Sequence, residues 1–219
     1  MDWHHRTNAQ RLPGAADLFR YWDPIFEVQL VRILPGQFYV TRNDEALVTV
    51  LGSCISACIR DKSCGLGGMN HFMLPQRMQS GGDQRTGSPW DAAARYGNHA
   101  MELLINAIIK RGGERKNFEV KIFGGSKILA STRDIGALNI DFAREYLQIE
   151  GLPVFAEDLG GCHPRKIIYF PATGKAKVKH LSSLGIAALV HDEMSYRSKL
   201  NQSDFSGTME LFDSPETDS

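Results

Sequence analysis

The order of apolar and polar residues along the chain predicts short strands and two amphipathic helices. Alternation of apolar and polar residues over 27–34 predicts a strand, and the apolar, β-branched run over 46–52 predicts a buried one. Over 91–110 and again over 139–149, apolar residues recur at three- and four-residue intervals, which is typical of helices with one buried face. The periodicity alone therefore predicts one α+β domain.

The weaker patterns fill in the rest of the chain. Short strands are predicted at 36–43, 65–75, 118–125, 153–161, 166–174 and 175–181. The sequence PATG at 171–174 is typical of a hairpin turn, whereas 15–24 is interpreted as a short helix ended by Pro24. The Gly- and Ser-rich stretch at 76–90 is predicted to be a loop, and the polar residues after about 197 a flexible tail.

The segment at 51–75 contains cysteine and histidine side chains that could take part in catalysis or metal binding. Ile55, Cys58 and Ile59 have helical spacing, so we expect a helix to begin at Cys54, directly after a buried strand. Unpaired N–H groups at a helix start lower the pKa of a thiol and bind an oxyanion. Cys54 is therefore a candidate nucleophile, and His71, on the following segment, is a candidate general base.

Other interpretations of the same residues remain open at this point. A buried cysteine is often a small apolar side chain, and this is the expectation for Cys58 and Cys64. A zinc site would use Cys54, Cys58, Cys64 and His71. Their spacing, C-x3-C-x5-C-x6-H, does not match the closely paired ligands of structural zinc sites.

Charge and hydropathy narrow the classes of function. Lysine plus arginine equals aspartate plus glutamate at 25 each, so no electrostatic case for nucleic acid exists. No apolar stretch is long enough to insert into a membrane, and the first residues do not form a secretory signal. We therefore expect a cytoplasmic protein whose four cysteines are reduced thiols.

Longer motifs resemble a known family. The stretch TVLGSCISACIRD followed by GGMNHFMLP closely resembles the chemoreceptor glutamine deamidases of the CheD family. The similarity continues through RYGNHAMELLINAIIKRGG, KIFGGSKIL, IGALNIDFAREYLQIEGLPVFAEDLGG and RKIIYFPATGKAKVKHL, and covers roughly 33–181.

The resemblance implies an enzyme that hydrolyses glutamine side chains of chemotaxis receptors to glutamate and ammonia. The family's catalytic thiol and imidazole map onto Cys54 and His71. Many members carry a threonine at the position of Val48, so either Thr49 or a main-chain carbonyl near Val48 would orient the imidazole here. The residues expected to contact substrate are Gly52, Ser53, Gly68 and Asn70.

The resemblance also implies an architecture and partners. We expect layered β-sheets flanked by amphipathic helices, similar to the catalytic domain of cytotoxic necrotizing factor. The predicted division is an N-terminal extension at 1–28, a deamidase domain at 29–185 and a polar tail at 186–219. The expected partners are chemoreceptor cytoplasmic domains and a CheC-type phosphatase, with no metal or organic cofactor. The alternative function is a non-catalytic adaptor that binds the same partners.

Overall fold

The computed structural model describes residues 18–75, 89–128, 134–182 and 186–202. Ten strands and three α-helices are assigned within these ranges. The strands are β1 (Arg20–Asp23), β2 (Val28–Arg32), β3 (Phe38–Thr41), β4 (Glu45–Leu51), β5 (Ile55–Asp61), β6 (Leu66–Asn70), β7 (Phe118–Gly124), β8 (Val154–Leu159), β9 (Arg165–Phe170) and β10 (Lys175–His180). The helices are α1 (Pro89–Lys110), α2 (Ile135–Ile149) and α3 (Ile186–Gln202).

The strands form two five-stranded mixed sheets. The first has the order β1-β2-β4-β9-β10, and the second has the order β3-β6-β5-β7-β8. Most neighbours are antiparallel, but β2 and β4 are parallel in the first sheet, as are β7 and β8 in the second. The predicted α+β domain with layered sheets is thus confirmed.

Apolar side chains fill two main layers. The first lies between the sheets, where Leu47 and Tyr169 of one sheet pack with Cys58 and Met69 of the other. The second lies on the far side of the second sheet, which α1 and α2 cover with residues such as Leu104 and Phe142. A smaller cluster around Leu30 and Ile168 covers the outer face of the first sheet. Consequently β5, at the centre of the second sheet, is buried on both faces.

The predicted helix that begins at Cys54 is wrong. Residues 55–61 form strand β5, which pairs with β6 on one side and β7 on the other. Because both faces of β5 are buried, apolar and small residues occupy successive positions, and the alternation that marks a half-exposed strand is absent. In such a run the spacing of Ile55, Cys58 and Ile59 fits a helix as well as a strand, which is why the sequence pattern was misleading.

Two terminal segments also differ from expectation. The region at 15–24, interpreted as a helix, contributes strand β1, which pairs with β2. Residues 186–202, within the segment expected to be a flexible tail, form α3, and its Glu193 is fully buried.

The loop predicted at 76–90 lies outside the described residues except for Pro89 and Trp90, which begin α1. No described helix is long and apolar enough to cross a membrane.

Candidate active site

A tight turn at 52–54 joins β4 to β5, and hydrogen bonds from neighbouring segments fix its carbonyl groups on one side. The three carbonyl oxygens of this turn accept hydrogen bonds from the Ser126 N–H (2.7 Å), the Asn139 side chain (2.8 Å) and the Gly125 N–H (2.8 Å). Asn139 is itself fixed, because its Oδ1 accepts a hydrogen bond from the Leu74 N–H at 2.9 Å. With the carbonyls held in this way, the N–H groups of the turn face the opposite side. We call residues 52–54 the donor turn.

The N–H groups of the donor turn converge on one carboxylate, that of Glu193 in α3. Its Oε1 accepts from the N–H of Gly52 at 2.9 Å and of Cys54 at 3.4 Å. Its Oε2 accepts from the N–H of Ser53 at 3.1 Å and from the Ser53 hydroxyl at 2.6 Å. Successive backbone N–H groups that point into one concavity form an anion site. The donor turn therefore provides what the oxyanion of an acyl-transfer reaction requires, without a helix start.

Position 52 leaves little room for a side chain. A Cβ built on Gly52 would lie 2.2 Å from Cδ1 of Ile128 and 2.7 Å from Oε1 of Glu193. Both distances are far inside normal contact, so a Cβ at position 52 would force the ends of the Ile128 and Glu193 side chains to move.

Strand pairing brings Cys54 and His71 to the same face of the second sheet. Ile55 and Phe72 form an antiparallel bridge with reciprocal hydrogen bonds of 2.9 Å. This register places Cys54 opposite Met73 and Ser56 opposite His71, so Cys54 and His71 are diagonal neighbours on the face toward the first sheet. Diagonal neighbours lie about 7 Å apart at Cβ, a separation that an imidazole side chain can span.

A short chain of hydrogen bonds sets the tautomer of His71. The Thr49 hydroxyl lies 2.7 Å from the Ile33 carbonyl oxygen and 2.8 Å from Nδ1 of His71. A carbonyl only accepts, so the hydroxyl donates to Ile33 and accepts from an Nδ1–H. The other ring nitrogen, Nε2, then carries the lone pair. It is buried and has no hydrogen-bond partner among the described residues. Nε2 of His71 therefore carries an unengaged lone pair.

Burial keeps both reactive groups neutral. Cys54 is 0% exposed and His71 is 2% exposed. Burial raises the pKa of the Cys54 thiol well above its usual value, and the charge and hydrogen bonding of Glu193 raise it further. Burial likewise lowers the pKa of His71 to about 4, partly offset by a hydrogen bond to the Ile33 backbone. In this state the pair is a thiol beside an uncharged imidazole.

The alternation of β4 distinguishes Thr49 from Val48. Thr49 faces the second sheet and contacts His71, whereas the Val48 side chain lies in the outer cluster with Leu30. The Val48 carbonyl is already bonded to the Ile33 N–H at 2.9 Å. Of the two groups considered for orienting the imidazole, the contact is therefore made by Thr49.

Two other residues expected at the substrate site lie on the opposite face of the sheet. The Asn70 side chain accepts from the Ala57 N–H at 2.8 Å and donates to the Ala100 carbonyl at 3.0 Å, so it ties β5 to α1. A Cβ on Gly68 would lie 2.3 Å from the Tyr39 carbonyl oxygen and 2.9 Å from Leu104 of α1. Gly52 and Ser53 lie beside Cys54, whereas Gly68 and the Asn70 side chain do not join this cluster.

The four cysteines are free thiols, and they do not gather at one place. Cys54 and Cys58 are buried, whereas Cys64 and Cys162 are exposed. Strand β5 separates Cys54 from Cys64 by about 20 Å at roughly 3.3 Å per residue, far beyond the reach of a shared zinc ion. Within the described ranges, no three histidine, cysteine, aspartate or glutamate side chains are grouped to hold a metal ion.

Sequence reasoning missed Asn139 and Glu193. Asn139 lies on the buried face of α2, where a polar residue among apolar ones is a sign of a structural hydrogen bond. Glu193 belongs to a polar segment and gives no such sign. Only the tertiary structure brings it to a turn that lies 139 to 141 residues earlier in the chain.

The low pKa of His71 predicts a loss of stability in mild acid. The unfolded chain protonates this group near pH 6.5 and the folded chain only near pH 4, so the unfolded state binds more protons between these values. The contribution is therefore fully present above pH 6.5 and decreases by about 3 kcal/mol as the pH falls to 4. Urea unfolding of the wild type and of His71→Gln across this range measures the difference. Parallel curves for the two proteins would contradict the assignment.

Comparison with known proteins places the chain in a family. A thiol and an imidazole beside a set of backbone donors is the arrangement of thiol-dependent hydrolases. Residues 73–180 match the family model described as CheD chemotactic sensory transduction, a range that begins just after His71. The chain is 49% identical over 203 residues to a protein of Halorhodospira halophila, covering 92% of this chain and 93% of that protein. It is 48% identical over 218 residues to one of Rhodopseudomonas palustris, covering 95% and 99%.

Both relatives carry the name probable chemoreceptor glutamine deamidase CheD, as does a protein of Saccharophagus degradans that is 50% identical over 204 residues. This last match covers 92% of this chain and 93% of that protein. The chain belongs to the CheD family.

Proposed function

We propose that this protein is a protein-glutamine deamidase, a hydrolase that converts glutamine side chains of chemoreceptors to glutamate and ammonia. The observation that carries the proposal is the common location of three features. The Cys54 thiol and the unprotonated Nε2 of His71 share one face of a sheet. The adjoining donor turn directs its N–H groups at a carboxylate, the functional group that this reaction forms.

In the first half of the reaction, the Cys54 thiol transfers its proton to Nε2 of His71. The thiolate adds to the side-chain carbonyl carbon of glutamine, and the resulting oxyanion accepts hydrogen bonds from the N–H groups of Gly52 and Cys54. His71 then donates its proton to the amide nitrogen. The carbon–nitrogen bond breaks, ammonia leaves, and a γ-glutamyl thioester remains on Cys54.

In the second half, water replaces ammonia. Nε2 of His71 takes a proton from water, and the hydroxide adds to the thioester carbonyl, whose oxygen again occupies the donor turn. The carbon–sulfur bond breaks, and His71 returns the proton to sulfur. Glutamate leaves, and every step uses only groups of this chain and water.

The names of the relatives support the choice of substrate. The names of those proteins state that they act on chemoreceptors. We propose that the substrate is the cytoplasmic domain of such a receptor, which places the reaction in the cytoplasm, and that a CheC-type phosphatase is a further partner. Converting a neutral amide to a carboxylate adds a negative charge to the receptor and so changes its packing energetics.

Mass spectrometry of a receptor cytoplasmic fragment tests the activity. We expect incubation with the wild-type protein to convert particular glutamines to glutamates, which peptide mapping locates, with an equal molar release of ammonia. A fragment that binds but shows no converted glutamine would contradict the proposal and favour the adaptor function.

Thr49 is expected to act as the residue that positions His71. Thr49→Val keeps the shape of the side chain but removes the hydroxyl, so Nδ1 loses its partner and the ring its fixed orientation. We expect kcat to fall by about tenfold to a hundredfold. Thr49→Ser should restore most of the rate, since it keeps the hydroxyl. Adding Val48→Thr to Thr49→Val should not restore it, because position 48 faces away. Recovery in that double variant would show that Thr49 is not the orienting residue.

A further inference from the structure

The reactive pair is closed to solvent, and α3 is the element that closes it. Cys54 is 0% exposed and His71 is 2% exposed. The Glu193 carboxylate, also 0% exposed, occupies the N–H groups that the proposed mechanism assigns to the oxyanion. A substrate carbonyl cannot reach these donors while Glu193 holds them. Catalysis therefore requires Glu193 to leave.

Glu193 is held as a carboxylate ligand would be held. It accepts hydrogen bonds from three backbone N–H groups and one hydroxyl. Charge-assisted hydrogen bonds of this kind compensate for removing the charge from water. The side chain is a glutamate presented by a helix, which is also what deamidation of a glutamine on a receptor helix would produce.

Three described side chains of α3 that contact the protein lie along one stripe. Glu193, Tyr196 and Leu200, at positions i, i+3 and i+7, face the protein. The Tyr196 hydroxyl is hydrogen-bonded to that of Tyr96 on α1, and its ring lies on the backbone of Gly36, where a Cβ would be 3.0 Å away. Leu200 is 6% exposed and packs in the cluster between the sheets.

The opposite side of α3 is open, and a pocket lies beside the helix. His191 and Asp192 are exposed, and Met194 is 54% exposed. A pocket of about 460 Å³ adjoins the helix, and Gly36 and Tyr96, which contact Tyr196, also line it. The Tyr196 contact of α3 thus lies beside a pocket whose lining includes His71.

We propose that the surface covered by Glu193, Tyr196 and Leu200 of α3 is the docking surface for the substrate helix, and that α3 is the chain's own competitor for it. This inference rests on the proposed function and adds its regulation and the chemistry of its substrate. The substrate helix places a glutamine over the donor turn where Glu193 now lies. An aromatic or apolar residue three positions later takes the place of Tyr196, and an aliphatic residue seven positions later takes that of Leu200.

The first test measures access to Cys54 in full-length protein and does not depend on catalysis. Iodoacetamide labelling, followed by peptide mapping, compares wild type, Glu193→Ala and the matched control Asp192→Ala, which removes an exposed carboxylate from the same helix. Loss of several charge-assisted hydrogen bonds should raise the labelling rate of Cys54 about tenfold or more in Glu193→Ala. Asp192→Ala should behave as wild type.

Cys58 reports within the same molecule whether the sheet stays folded, because it is buried four residues further along β5. It should remain unlabelled in all three proteins. The proposal is overturned if Cys54 stays as slow in Glu193→Ala as in wild type. It is equally overturned if Cys58 becomes reactive together with Cys54, since α3 would then stabilise the whole fold rather than cover the site.

The second test observes displacement of α3 in the wild-type protein. Hydrogen exchange of the amides of α3 should accelerate when a receptor cytoplasmic fragment binds. If receptor glutamines are converted while exchange in α3 is unchanged, the competition is refuted and the proposed function stands. If Cys54 becomes reactive in Glu193→Ala but no receptor glutamine is converted, the deamidase function and the substrate helix are refuted, and only the covering role of α3 is confirmed.

Steady-state kinetics separates competition from a direct part in the chemistry. Because a competitor raises the substrate concentration needed for half-saturation, Glu193→Ala should lower KM for the receptor fragment and leave kcat close to that of wild type. A decrease in kcat would assign Glu193 to the reaction itself and overturn the proposal.

Discussion

Replacing Cys54 with alanine is expected to reduce deamidation of a receptor fragment by about 10⁴-fold or more, since removal of a nucleophile eliminates the covalent route. The fold should tolerate the change. Cys54 contributes one small buried side chain to the cluster between the sheets, and the carbonyls of the donor turn keep their partners. Peptide mapping of the fragment measures the activity, and thermal unfolding confirms that the variant is folded.

The matched control is Cys162→Ala, which removes an exposed thiol outside the strands and should leave the rate unchanged. Hydroxylamine added during turnover provides an independent check, because it intercepts a thioester as a hydroxamate on the receptor glutamate. Hydroxamate should form with the wild type and not with Cys54→Ala. Full activity of Cys54→Ala in a folded protein would refute the thiol mechanism.

The sequence pointed to Cys54 as a candidate nucleophile, but it did not reveal the local structure around it. A cysteine after a buried strand and a glycine was expected to start a helix, whose N–H groups would bind an oxyanion. In the structure a turn supplies the same donors, because Ser126, Asn139 and Gly125 hold its carbonyls and leave the N–H groups free to converge. Those three residues follow Cys54 by more than 70 positions, so no pattern local to the turn reveals them.

Strand alternation explains why the orienting residue was ambiguous. Along β4, Leu47, Thr49 and Leu51 face the space between the sheets, whereas Ala46 and Val48 face the outer cluster. Both faces are buried, so the sequence ALVTVL is apolar on each and does not show which side Thr49 occupies. The contact between Thr49 and His71 depends on packing of one sheet on the other, a tertiary property that the run does not encode locally.

The structure of α3 and its contact with the donor turn were the features least predictable from the sequence. Its segment is polar, and composition alone favours a flexible tail. The buried carboxylate of Glu193 is stable there only because the donor turn presents four hydrogen-bond donors to it. The same donors that would stabilise an oxyanion in the proposed mechanism thus bind the Glu193 carboxylate of α3.

His71→Asn is expected to lower kcat by about 10²- to 10⁴-fold, the range that general acid–base catalysis supplies. An asparagine amide can take the position of Nδ1 and donate to Thr49, so the hydrogen bond to the first sheet is kept. What the variant lacks is Nε2, which in the proposed mechanism accepts the Cys54 proton and then donates it to the amide nitrogen that leaves as ammonia. The rate should therefore fall at all pH values between 6 and 9 and should rise with pH as the thiol ionises without assistance.

The exposed His163 provides the control, because His163→Asn makes the same exchange outside the site and should leave the pH–rate profile unaltered. The discriminating reagent is a substrate with a better leaving group, a γ-glutamyl ester in place of the amide. An ester needs little protonation of its leaving group, so His71→Asn should lose less activity on the ester than on the amide. An equal loss on both would mean that His71 serves only to activate the thiol, and the assignment of Nε2 as the acid that releases ammonia would have to be abandoned.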